Sequence, residues 1–328
     1  MLLRTLATPI NPADINQIQG TYPSRPDFTS SLGTPSPSAV GGNEGCFEVL
    51  SVGPSVKSFQ KGDWVITRGP GFGTWRTHAL AEEKHVIRIE NKEGLSSVQV
   101  GTVSINPTTA WRMLKDFKEL KEGDWWMQNG ANSGVGRAAI QFGRERGLRS
   151  INVIRARESK EETQALKDDL MRLGATKVVT EQELMERGFG DQVKEWTNGG
   201  RRPVKLGLNC VGGKPTQALV KLLGHGGHLV TYGGMAKQPL MLPTGLLIFK
   251  DIKFSGFWVS RWSDANPEEK KKTVKEILDL TRQGKFKDIP VQECKWDWGT
   301  DVQVLKDAVQ GTLRGFRAGK GVLIYGDT

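Results

Sequence analysis

The spacing of apolar and polar positions changes along the chain, and each change marks a different kind of structure. Between residues 123 and 257, short apolar runs alternate with longer stretches in which apolar positions recur at helical spacing. DWWMQN (124–129) predicts a buried strand, and the small-residue stretch 134–147 after it predicts a helix. INVIRAR (151–157) predicts a second strand. In SKEETQALKDDLMRLG the residues Leu166, Leu170 and Leu173 stand four and three apart, on one helix face. ATKVVT (175–180), VKLGLNC (204–210), GHLVTYGG (227–234) and IKFSGFWV (252–259) continue the strand series, with KPTQALVKLLG as a helix among them. This alternation predicts an α/β class domain, a doubly wound parallel sheet wrapped by helices on both faces.

Residues 1–105 have another rhythm. GCFEVLSVG, GDWVITRG and GTWRTHAL are short runs bounded by Gly, Pro and Asp, as in a small β-rich domain. Ahead of them lies TYPSRPDFTSSLGTPSPSAVGG, a loop long enough to be functional or mobile. After residue 260 a charged helix, NPEEKKKTVKEILDLTRQGK, precedes DAVQGTLRGFRAGKGVLIYG, read as helix, basic loop and closing strand.

Composition narrows the function. A chain of 328 residues, 37% apolar and 25% charged, is a globular protein with room for two domains. It has no apolar run long enough to span a bilayer, and its N-terminus shows neither a secretory h-region nor a convincing transit peptide. Cys46, Cys210 and Cys294 lie far apart, which suits a reducing compartment and excludes redox or zinc spacing. His225 and His228 form a pair without a supporting Cys or acidic ligand, so no metal site is expected. A net charge of +10 favours anionic partners, but no nucleic-acid-binding motif accompanies it. Phosphorylated small molecules or an acidic carrier protein fit the charge as well.

The candidate chemistry begins at QNGANSGVGRAA, where a strand runs through a glycine-bearing loop into a helix. Such a loop brings backbone close to a pyrophosphate at the positive end of a helix. Two registers satisfy the dinucleotide pattern: Gly134, Gly136 and Ala139 literally, or Ala131, Ser133 and Gly136 with small residues replacing two glycines. The second strand ends in Arg155 and Arg157, where an NAD site would carry an acidic residue. Two guanidiniums there suit the 2′-phosphate of NADPH, or else line a solvated strand end. NCVGGK and TYGGM put glycines at two further strand ends.

PINPADINQIQGTYP, GGNEG, NPTTAWRML, NSGVG, GLNCVGGK, VTYGGMAKQP and LIFKDIKFSGFW together resemble the zinc-independent medium-chain dehydrogenase/reductases. More narrowly, they resemble the mitochondrial trans-2-enoyl thioester reductases. The resemblance implies a Rossmann-type cofactor domain over 106–255 and a GroES-like catalytic domain formed by 1–105 and 256–328. It implies NADPH as cofactor, an enoyl thioester carried by acyl carrier protein or coenzyme A as substrate, a homodimer and a mitochondrial matrix location. GGNEG stands where zinc enzymes of the superfamily place a His-Glu pair, which again points away from metal. The family's proton donor falls on Tyr22 in QGTYP. NADPH contacts carry over to Asn106, Asn132, Ser133, Gly134, Val135, Arg155, Arg157, Tyr232, Gly233, Gly234, Met235, Phe257, Trp258, Val259 and Lys320. Trp75 is expected to be structural or to wall an acyl channel. The chain departs from its relatives in carrying Trp111 for a tyrosine and R-A-R for R-D-R, and it is expected to lack the strand that precedes PINP. The neighbouring reading is a quinone or alkenal reductase of the same superfamily.

Overall fold

The computed structural model describes residues 1–314 and 319–326. The chain divides into two compact units, one of Met1–Thr108 with Val259–Thr328 and one of Thr109–Trp258. In chain order the first contains β1 (Leu2–Pro9), α1 (Pro12–Ile18), β2 (Cys46–Ser51), β3 (Trp64–Thr67), β4 (His78–Leu80), β5 (Val86–Arg88) and α2 (Ser97–Gly101). Helix α3 (Asn106–Asp116) leads into the second unit. That unit contains β6 (Trp125–Gln128), α4 (Gly134–Glu145), β7 (Arg149–Ile154), α5 (Lys160–Leu173), β8 (Lys177–Thr180), α6 (Glu181–Met185) and α7 (Phe189–Trp196). It continues through β9 (Val204–Asn209), α8 (Gly213–Lys221), β10 (Leu223–Thr231), α9 (Thr244–Lys250) and β11 (Lys253–Gly256). The chain then returns to the first unit with α10 (Val259–Ala265), α11 (Pro267–Arg282), β12 (Val291–Trp296), α12 (Val302–Arg314) and β13 (Lys320–Tyr325). Residues 315–318 of the expected basic loop lie outside the described residues.

Strand β1 corrects the expectation that no strand precedes PINP. Its residues alternate, with Leu3, Thr5 and Ala7 fully buried, and it pairs antiparallel with β2, β4 and β13. The period-two pattern in LLRTLATP is short and interrupted by Thr, so it is weak as a signal; three neighbouring strands hold it. The resulting sheet runs β12-β13-β1-β2-β3-β5, with β4 also on β1. Leu3, Phe47, Val49 and Val65 form one core on it.

In the second unit six strands pair in parallel, in the order β11-β10-β9-β6-β7-β8. Every residue of β6 is buried, because both faces of a parallel sheet are covered by helices. Trp125, Met127, Ile151, Val153, Leu219 and Leu229 build the main core here. Helix α5 presents the expected face: Leu170 is fully buried, and Leu166 and Leu173 pack beside it. A Ser159–Glu162 capping box starts this helix and Gly174, at φ 111°, stops it. Chain order reverses between β6 and β9, so the crevice beyond their C-terminal ends is the topological switch point. Among the described residues, no helix is long and apolar enough to cross a membrane.

Candidate cofactor and catalytic sites

Strand β6 leaves the sheet through Gly130, at φ 60°, and enters α4 at Ser133, whose Oγ accepts the amide of Gly136 at 3.1 Å. That cap leaves the amides of Gly134 and Val135 without intrahelical acceptors, at the positive end of a helix of 12 residues. A Cβ on Gly136 would lie 2.5 Å from the carbonyl oxygen of Ala131, so helix and loop touch backbone to backbone. This decides between the two registers. Gly136 is the residue that permits close packing, and Ala131 and Ser133 occupy the two earlier small positions. The literal register would start the turn at Gly134, which is already helical.

Beneath this loop lies a set of buried amides that sequence reasoning missed. Gln128, Asn129, Asn152 and Asn209 are all fully buried. Asn129 Nδ2 donates to Asn209 Oδ1 at 2.8 Å and to Thr216 Oγ1 at 3.1 Å, while Asn129 Oδ1 accepts from the amide of Cys210 at 2.8 Å. Asn209 Nδ2 reaches Thr231 Oγ1 at 3.1 Å. The C-terminal ends of β6, β9 and β10 are thus tied together by side chains whose burial makes each bond costly to lose. Polar residues closing otherwise apolar strands, Gln128 at the end of β6 and Asn209 at the end of β9, were the available signal.

Arg155 and Arg157 follow the end of β7; the first is exposed and the second half-buried, with its amide fixed on Thr163 Oγ1 at 2.8 Å. Tyr232, Gly233, Gly234 and Met235 follow β10. The Tyr232 amide donates to Asn209 O at 2.9 Å and that of Met235 to Cys210 O at 2.8 Å. The Tyr232 phenol is buried beside Cys210 and Ser133, and burial holds its pKa well above that of a free phenol. Burial likewise pushes the Cys210 thiol up to about 11, which keeps it an unreactive thiol at neutral pH. Gly233 approaches Cys210 so closely that a Cβ would meet its Cβ at 3.2 Å. Phe257, just after β11, is fixed by its amide on Thr231 O at 2.9 Å and packs edge-on to Phe117; Trp258 follows it, partly exposed. Asn132 through Val135, both arginines, Tyr232 through Met235, and Phe257 with Trp258 therefore all stand past the C-terminal ends of parallel strands. Ligands bind at that end of an open α/β sheet. Open helix amides with two nearby cations fit a phosphorylated dinucleotide.

The remaining expected residues belong to the other unit. Asn106 opens α3, Val259 opens α10, and Lys320 begins β13, its amine donating to Asn11 Oδ1. Burial lowers the pKa of Lys320, with Glu44 and Asp14 opposing. Glu44, from GGNEG, is buried and accepts from Asn11 Nδ2 at 3.0 Å, Ser104 Oγ at 3.1 Å and the Ile105 amide at 2.8 Å. Tyr22 is half-buried in the long loop, its amide on Asn16 O at 3.2 Å. Trp75 packs over Gly41 and Gly42, where a Cβ would come within 2.8 Å and 2.5 Å of its ring, and its Nε1 donates to Pro9 O at 3.3 Å. That is a structural clamp.

Two family models match the chain: an alcohol dehydrogenase GroES-like domain over residues 1–91 and a zinc-binding dehydrogenase domain over 134–281. Among the described residues no group of three or more His, Cys, Asp or Glu is placed to hold a metal ion. The mitochondrial enoyl-acyl-carrier-protein reductase of Yarrowia lipolytica is 51% identical over 92% of this chain and 78% of its own length. The mitochondrial 2-enoyl thioester reductase of Candida tropicalis, solved as an Etr1p/Etr2p heterodimer, superposes with a TM-score of 0.93 at 40% identity, over 99% of this chain and 90% of that one. The Etr1p complex with NADP and crotonyl-CoA gives a TM-score of 0.92 at 40% identity and the same coverage.

Proposed function

The chain belongs to the family of the mitochondrial enoyl-acyl-carrier-protein reductases, and from that premise we infer that it reduces trans-2-enoyl thioesters to saturated acyl thioesters with NADPH. The observation that carries this reading is the run of glycine-bearing strand ends beside the open N-terminus of α4, with Arg155 and Arg157 at the next strand end. The α4 amides would hold the pyrophosphate and the two guanidiniums the 2′-phosphate. Within the same unit, Tyr232 through Met235 with Phe257 and Trp258 would complete the contacts with the dinucleotide.

When bound, NADPH supplies a hydride to the β-carbon of the enoyl thioester, which leaves an enolate on the substrate. Tyr22 is the proton donor in this reading. A phenol with a pKa of about 10 is protonated at neutral pH and can deliver its proton to the α-carbon, completing the addition of one hydride and one proton across the double bond. The negative charge that gathers on the thioester oxygen needs a hydrogen-bond donor, a task suited to a backbone amide. No step needs a metal.

Coenzyme A and acyl carrier protein are both anionic carriers, which the charge of +10 favours. A second copy of the chain is the proposed partner. β11 is an edge strand of the parallel sheet, and helix α9 just before it exposes Leu247, Ile248 and Phe249. An open edge with apolar side chains next to it is suited to pairing between copies. The mitochondrial matrix is the corresponding compartment.

Product identification tests the reaction. Incubated with NADPH and a trans-2-enoyl-CoA, the protein should yield the saturated acyl-CoA, heavier by the added hydride and proton. Unchanged enoyl-CoA, with NADPH consumed only when a quinone is supplied, would replace this reading with that of a quinone reductase.

A further inference from the structure

Tyr22 lies in a long loop, and a proton donor must be held to within a fraction of an ångström to be effective. What holds it begins at the last turn of α1. Asn16 O accepts the amides of Thr21 at 2.9 Å and Tyr22 at 3.2 Å. The next residue of the helix, Gln17, donates from Nε2 to Ser24 O at 3.0 Å, so the loop is fixed on both sides of Tyr22.

Gln17 is itself held. Asn43 Nδ2 donates to Gln17 Oε1 and to Asp14 Oδ1, both at 2.6 Å, and Asn43 Oδ1 accepts from the Gly71 amide at 2.8 Å. Asp14 Oδ2 accepts from the Asn11 amide at 2.7 Å, and Asn11 Nδ2 passes the connection to Glu44. Asn11, Asp14, Asn43 and Glu44 are each at most 6% exposed. Buried polar groups tolerate little displacement, because a lost partner cannot be replaced by water. Carboxamides suit both Asn43 and Gln17, since each must donate and accept at once.

We propose that Gln17 and Asn43 are positioning residues for the proton transfer, a relay that ties the Tyr22 loop to the buried Asp14–Asn11–Glu44 cluster. The relay rests on Tyr22 being the proton donor. It deepens that assignment, because Gln17 and Asn43 act through the loop that carries Tyr22.

A double-mutant cycle on the intact enzyme tests it, with turnover on a trans-2-enoyl-CoA, NADPH affinity and melting temperature measured for each variant. Gln17 is half-buried at the end of α1, so Gln17→Ala should fold and bind NADPH as the parent does. Its turnover should fall about 10- to 100-fold, the scale expected when a reacting group is misplaced by about an ångström. Gln17→Glu should behave alike, since it keeps the acceptor for Asn43 but loses the donor to Ser24 O. In a Tyr22→Phe background, Gln17→Ala should cost nothing further, because the hydroxyl it positions is gone. An equal loss in both backgrounds, or no loss in either, would overturn the relay while leaving Tyr22 in place. A fully active Tyr22→Phe would overturn the assignment of Tyr22 and the relay with it.

Discussion

One oxygen atom distinguishes Tyr22 from phenylalanine, and the proposed mechanism asks it for one proton. Tyr22→Phe should lower turnover by about 10²–10⁴ and leave NADPH affinity unchanged; a steady-state assay with parallel titration of NADPH checks both halves. Asp14 gives a second prediction. Burial raises its pKa from 3.8 to about 6, against bonds from Asn11 and Asn43 and the charge of Lys320, and with Glu44 adding to the rise. The folded chain therefore binds this proton more tightly than the unfolded chain. Between those two values the folded state carries the extra proton, so this group's contribution to stability falls as pH rises through the window. Asp14→Asn should flatten that part of the stability profile measured by denaturant unfolding, and an unchanged slope would contradict the shift. At this scale the sequence was legible only in part. Tyr22, Arg155 and Arg157 stand in recognisable local patterns. Asn43 meets Asp14 and Gln17 across 29 and 26 residues, and Asn129 meets Asn209 across 80, separations at which no spacing rule operates.

Elements were easier to read where their own residues set their limits. Helix α5 followed from its leucine spacing, and the strands from β6 to β11 from their apolar runs. Helix α6 went unnoticed although Thr180 and Glu183 form a capping box, a signal plainly present in TEQE. Strand β1 was missed because its burial depends on three neighbours distant in sequence. The strand–loop–helix element at β6 and α4 carries two predictions. Gly136→Val should weaken NADPH binding by on the order of tenfold or more, because a Cβ there meets the Ala131 backbone and the loop must move; binding at parental affinity, measured by nicotinamide fluorescence, would refute the role given to this contact. Replacing both Arg155 and Arg157 with Ala should reduce the preference for NADPH over NADH by about 10- to 100-fold, from the loss of charge-assisted bonds. An unchanged ratio of kcat/KM for the two cofactors would remove the arginines from 2′-phosphate recognition.

The molecule as a whole combines a parallel sheet built to present its strand ends with a β-rich unit that carries Tyr22, the proposed proton donor. The rhythm of apolar positions changes near residues 105 and 260, whereas the joining of the two flanking segments into one unit is an expectation that only the family resemblance supplied. The outer surface was less legible. GLLIFKDIKF looks like buried sequence, yet Ile248 and Phe249 are 67% and 78% exposed. The proposed pairing of two copies predicts a dimer in sedimentation velocity that Phe249→Glu converts to a monomer. A monomeric parent would remove the pairing, and a dimer that persists in the variant would place the contact elsewhere. The central claim is NADPH-dependent enoyl thioester reduction, and the most direct test follows loss of the reduced nicotinamide absorbance on addition of a trans-2-enoyl-CoA, with NADPH and with NADH in parallel. Fast oxidation of NADPH and slow oxidation of NADH is the predicted result. Oxidation of neither, by a folded protein that binds NADPH, would contradict it.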